Sequence, residues 1–350
     1  MKNKYLYNMQ YATLIFFLVN SFFINVGYQV LTSISNTDSI IDIIVGGILI
    51  IIFLITILWI RKYYDKDIID TILSFKYLKY PLLITLIIIL GISTIYSLTT
   101  LSSFIHYYML REVSTFTISI TLLFTILYLV SKNLPTITRI SEICFYIYIL
   151  VIVIGLLGLV EYIDLENLKP LFTTSFNNHF KASFLFFDFS ILPIFLLLGL
   201  KHEDYNHEDN RLIIAFVLLS ILTILFQGIL ILSVLGINLT NIYISPDIMI
   251  YKKISFLNIL ERVEVFLSFN QLLNGLFIIT VNLYLIKKII LCFSKKKKES
   301  IILTLLGFIF LFLSNTIVLS KDIYLCINYI LLLFTLIIFI RTIIYKYILH

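Results

Sequence analysis

Asp188 stands in the run Phe186-Phe187-Asp188-Phe189-Ser190-Ile191-Leu192-Pro193, a carboxylic acid with apolar neighbours on both sides. Of the 20 acidic residues it alone falls deep in such a run. A charge at the centre of a membrane span costs about 2.5–3.5 kcal/mol on insertion scales, so a retained acid points to ligand ammonium binding, cation coordination or proton exchange. The structural alternatives are a helix cap or a pair with a neighbouring hydroxyl. Ser190, Phe187 and the mid-run Pro193 complete this first group.

A second group surrounds Asn25-Val26-Gly27, where Asn and Gly interrupt an apolar run and weaken any helix. Backbone N–H groups freed at such a break suit a ligand carboxylate; the alternative is close helix packing at Gly27. Tyr28 beside it offers an aromatic cover. Asn270 and Asn274 share one helix face by their spacing, and Thr99 lies in a Thr99-Thr100-x-Ser102-Ser103-like cluster of hydroxyls. Each of these serves equally as a cavity lining or as interhelical hydrogen-bond glue. Arg262 and Glu264, at the mouth of the next apolar run, read as gating or structural residues. His202-Glu203-Asp204 and His207-Glu208-Asp209 sit in a short polar loop and read as a solvated turn, with no metal expected. No phosphate loop, nucleophile elbow or zinc-protease motif is present, so no catalytic residues, enzyme activity or cofactor are expected.

These groups need helices in lipid to position them. The 350 residues are 60% hydrophobic and only 13% charged, with mean hydropathy +1.04. A soluble domain carries about 25% charge, so the solvent for most of this chain is a bilayer. Three scattered cysteines give no disulfide framework, and the first apolar run is too long for a cleavable signal peptide. Apolar windows of about 20 residues predict ten spans, near 9–31, 39–60, 82–110, 114–131, 140–160, 182–200, 211–235, 264–291, 300–319 and 322–345. Assigned to alternate sides, the 26 bases divide 19 to 7, the minority being Arg111, Lys169, Lys181, Lys252, Lys253, Arg262 and Lys321. The positive-inside rule then places both termini in the cytoplasm.

Ten spans divide into two sets of five, and an odd number per set inverts the second relative to the first. The expected organisation is a first repeat over 1–160, an extracellular connector over 161–181 and an inverted repeat over 182–350. Each repeat is expected to open with an interrupted helix, at Gly27 and at Pro193, with the ligand between them.

Further residues carry a family likeness. Ser245-Pro246 through Ile254, then Leu260-Glu261-Arg262-Val263-Glu264, resembles the pattern ahead of the eighth helix in the GerAB type of spore permease, the B subunit of spore germinant receptors. Asp164-Leu165-Glu166-Asn167-Leu168-Lys169-Pro170 is similar to that family's motif after the fifth helix, and Arg139 also suits it. The first helix lacks the family's proline, and Asp188 with Pro193 departs from its sixth-helix pattern. The resemblance implies a LeuT-like fold of the amino acid/polyamine/organocation superfamily, in the inner membrane of a bacterial spore. It further implies a small nutrient ligand, often an amino acid, and partner subunits of the A and C types. The expected function is germinant sensing by conformational shift; the alternative is secondary active transport of an amino acid coupled to H⁺ or Na⁺.

Overall fold

The computed structural model describes residues 2–63, 68–73, 79–200, 210–254, 264–265, 268–293, 296–317 and 319–348. Among them every regular element is helical. In chain order these are α1 (Lys2–Asn20), α2 (Phe22–Asn25), α3 (Tyr28–Ser35), α4 (Ser39–Tyr63), α5 (Ile68–Leu73), α6 (Lys79–Tyr108), α7 (Thr115–Ser131) and α8 (Leu134–Leu159). After the connector come α9 (Phe176–Gly199), α10 (Asn210–Ile242), α11 (Pro246–Met249), α12 (Phe269–Phe293), α13 (Lys296–Thr316) and α14 (Lys321–Ile348). Helices stand at all ten predicted stretches. Among the described residues seven helices are long and apolar enough to cross a membrane, while Thr115–Ser131 and Ile301–Thr316 are shorter apolar helices. The protein is a multi-pass membrane protein.

The sequence of α4 shows how lipid and protein divide each helix. Ile44, Ile48, Ile52 and Ile55 recur at helical spacing and point outward, each about half exposed, while Ile43, Ile50, Leu54 and Ile57 are buried. The buried face packs on α9, the most enclosed of the seven spanning helices. Their approach is close at Gly46, where an added Cβ would lie 2.6 Å from the Ser183 carbonyl oxygen. Small residues allow this in lipid, where packing rather than water exclusion holds helices together. The other central helix, α1, is flanked by α8, α9, α10 and α12, and its Leu14, Ile15, Phe16, Phe17 and Leu18 are fully buried.

The first predicted stretch is broken as its sequence demands. Asn20 Nδ2 donates to the Phe16 carbonyl and Ser21 Oγ to the Leu18 carbonyl, at 3.0 and 2.6 Å, both competing with the helical ladder where α1 ends. Gly27 then adopts φ 79° and ψ 150°, and α3 restarts at Tyr28. The second expected break does not occur. Helix α9 runs unbroken through Pro193, because losing one backbone donor is tolerated where neighbouring helices enclose the turn. The later break falls at Gly236 of α10, with φ 69° and ψ 169°, one residue past the predicted end of that span.

The connector is clasped to the first half. Asp38, buried between α3 and α4, accepts the backbone N–H groups of Phe172, Thr173 and Thr174 at 2.5, 2.9 and 2.9 Å. Asp42 Oδ1 lies 2.8 Å from His179 Nδ1 and accepts from Ser183 Oγ at 3.2 Å.

Candidate ligand cavity

A cavity of about 720 Å³ opens beside the Gly27 break. Its walls are the break itself, the C-terminal half of α6, the α10–α11 turn, the start of α12 and the start of α14. Asn25, Val26 and Gly27 enter from the first stretch; Tyr96, Thr99, Thr100 and Ser103 from α6; Ser245, Asp247 and Gln271 from the far wall. Arg111, Lys252 and Lys321 add positive charge around the rim.

The broken backbone is held open by side chains from two other helices. Tyr96 donates its hydroxyl to the Asn25 carbonyl at 2.6 Å, and Lys321 Nζ donates to the Val26 carbonyl at 3.2 Å. These partners satisfy carbonyls that the helix break leaves without N–H donors. Thr100 Oγ1 reaches Asn25 Oδ1 at 3.3 Å, whereas Asn25 Nδ2 is buried without an acceptor. Thr99 Oγ1 spends its proton on backbone carbonyls, Ile95 at 2.8 Å and Ser314 at 3.1 Å being its two acceptors.

Asp247 is the carboxylate of this cavity. It sits on α11, outside the spanning helices, 6% exposed, with Oδ2 accepting from Gln271 Nε2 at 2.7 Å. Burial pushes its carboxyl up to about 7; its own backbone N–H and the Gln271 amide pull in the opposite direction. One wall therefore offers a carboxylate and the rim three cations. The unpartnered Asn25 amide and the break that precedes α3 belong to the same lining. Such a set can take both ends of a small zwitterion: ammonium at Asp247, carboxylate toward the cations and the helix N-terminus.

The sequence-predicted residues separate into two sets. Asn25, Gly27 and Thr99 are brought together in the cavity. The others lie elsewhere. Tyr28 is fully buried, its hydroxyl 2.8 Å from Ser39 Oγ and its ring against Gly228. Phe187 packs its ring on Phe53 and Phe184, and Ser190 donates to the Phe186 carbonyl of its own helix at 3.2 Å. Asp188 is buried on α9 facing the Asn328 carboxamide of α14, with no group in hydrogen-bond geometry to either carboxylate oxygen. Asn270 donates to the Tyr148 carbonyl at 3.4 Å, and Asn274 faces the Tyr148 hydroxyl. Glu264 is half-buried, its carbonyl accepting from the Ser268 N–H. Arg262 and the 202–209 loop lie outside the described residues. The cavity is bounded by the break of the first stretch together with α6, α11, α12 and α14, and none of its lining residues lies on α9.

Sequence reasoning passed over Asp247, Gln271 and Lys321. The signal for Asp247 was its place directly after Ser245-Pro246, and Lys321 was the lone base of its loop. No curated protein matches the chain. The family model for spore germination proteins, the spore permeases, matches residues 9–322. With that match extending over nearly all the spanning helices and the whole cavity wall, the chain belongs to the spore germination protein family.

Proposed function

We propose that this chain senses a small nutrient germinant, an amino acid or a molecule of like polarity, bound in the cavity beside Gly27. The observation that carries the reading is the pairing of one buried carboxylate with three rim cations around a broken helix, in a space of about 720 Å³. Ligand cavities fall in the range of about 300–1,000 Å³. Binding would favour one arrangement of the break over another, by no more than the ligand's difference in affinity for the two. The shift would pass to A-type and C-type receptor subunits. We further infer ten crossings in a LeuT-like 5+5 arrangement with cytoplasmic termini, consistent with helices at all ten stretches.

Equilibrium dialysis of the purified chain against radiolabelled amino acids, sugars and nucleosides tests the reading. Saturable binding of one of them, weakened about tenfold or more in Asp247→Asn and Lys321→Met, is expected; no binding across the panel refutes it. Counterflow in liposomes separates sensing from transport. Accumulation of the bound nutrient driven by a H⁺ or Na⁺ gradient would make the chain a secondary transporter.

A further inference from the structure

Behind the wall of the large cavity lies a second space of about 10 Å³, lined by Gln227, Asp247, Tyr251, Ser268, Asn270 and Gln271 among others. That volume admits one water-sized particle. Four oxygens of its lining residues accept no hydrogen bond: Gln227 Oε1, Asp247 Oδ1, Asn270 Oδ1 and Gln271 Oε1. All four residues are more than nine-tenths buried. Two amide orientations are set by their other ends, since Gln271 Nε2 donates to Asp247 Oδ2 and Asn270 Nδ2 to the Tyr148 carbonyl. Their oxygens are therefore acceptors awaiting a donor or an ion.

A water molecule has two protons to give and leaves two of the four oxygens unmet. A cation has no such limit on the number of oxygens it can take as ligands. Hard oxygen donors without imidazole or thiolate exclude a soft-metal site, and no group of three His, Cys, Asp or Glu exists among the described residues. One carboxylate among three neutral amides balances a single positive charge, short of the ligand number and charge that calcium takes. We propose that Gln227, Asp247, Asn270 and Gln271 bind one monovalent cation of the size of sodium.

The position gives the ion a role. Asp247 and Gln271 line both spaces, so the ion fixes two side chains in the wall of the nutrient cavity. The groups facing the Asp247 carboxylate are the phenols of Tyr108, Tyr148 and Tyr251, with His106, Arg111, Lys252 and Lys321 around the shared cavity.

Binding of ²²Na⁺ to the purified full chain, in N-methylglucamine chloride and without any nutrient, tests this independently of the germinant reading. One saturable site is expected at pH 8. Asp247→Asn should weaken it at least tenfold, and Asn270→Leu and Gln227→Leu, each checked for a monodisperse fold, should do the same. Absence of saturable binding by the wild type overturns the site, as does any of these folded variants binding like wild type.

Discussion

Replacing Gly27 by alanine isolates the backbone strain at the helix break. At φ 79° and ψ 150° an L-residue pays about 1–3 kcal/mol. An added Cβ would lie 3.5 Å from the Ile244 carbonyl oxygen and 3.8 Å from that of Phe23, ordinary contacts that add no steric term. Alanine also restricts the unfolded chain, which returns about 0.4–1 kcal/mol. The net expectation is a loss of about 1–2 kcal/mol, read as a shift in the SDS-unfolding curve of the protein in mixed micelles. If the strain is relieved instead by straightening the break, the Val26 carbonyl leaves Lys321 and the Asn25 carbonyl leaves Tyr96. Nutrient affinity then falls about five- to thirtyfold, the same free energy expressed at the cavity. An alanine variant with wild-type stability and wild-type nutrient affinity would refute the requirement for glycine at position 27.

Four further outcomes follow from other parts of the molecule. Asp38→Ala strips three N–H groups of their acceptor and should cost about 2–4 kcal/mol, visible by SDS unfolding together with faster proteolysis of the 161–175 connector. Gly228→Ala drives a methyl to 2.7 Å from the Tyr28 ring and should cost about 1–3 kcal/mol by overpacking, with nutrient affinity unchanged. Lys321→Met keeps the apolar stem but removes the donor to the Val26 carbonyl; nutrient affinity in dialysis should drop about tenfold, the value of a charge-assisted hydrogen bond. Asp247 has a folded-state value near 7, above its usual range, so its contribution to stability is fully present below about pH 4 and is lost as the pH rises through 7. Thermal unfolding in sodium-free buffer from pH 5 to 8 should show that decline, and Asp247→Asn should flatten it.

The helix positions were legible because lipid imposes long apolar runs that no other element explains. The break at Gly27 was equally legible, since Asn20, Ser21, Asn25 and Gly27 are each poor helix formers and occur within eight residues. Pro193 misled for a physical reason: a proline removes one hydrogen bond, and in the most enclosed helix of the bundle the surrounding packing outweighs that loss. Asp188 was found as a buried acid from sequence, but which helix faces it, α14 rather than the first stretch, depends on packing that no local pattern encodes. Asp247 reads in sequence as a loop acid beside a proline. Its burial arises only when residues 243–254 fold over the bundle and bring it against Gln271, 24 positions later.

The Asp38 clasp adds a non-covalent tie between the segment before α4 and the connector that precedes α9. A chain cut between residues 162 and 168 leaves Phe172, Thr173 and Thr174 on the second fragment, with their N–H groups aimed at a carboxylate carried by the first. The α4–α9 interface, the broadest among the described residues, also has one helix in each fragment. Co-expression of the two fragments is therefore expected to give a complex that co-purifies, and loss of that complex in Asp38→Ala would identify the clasp as its latch.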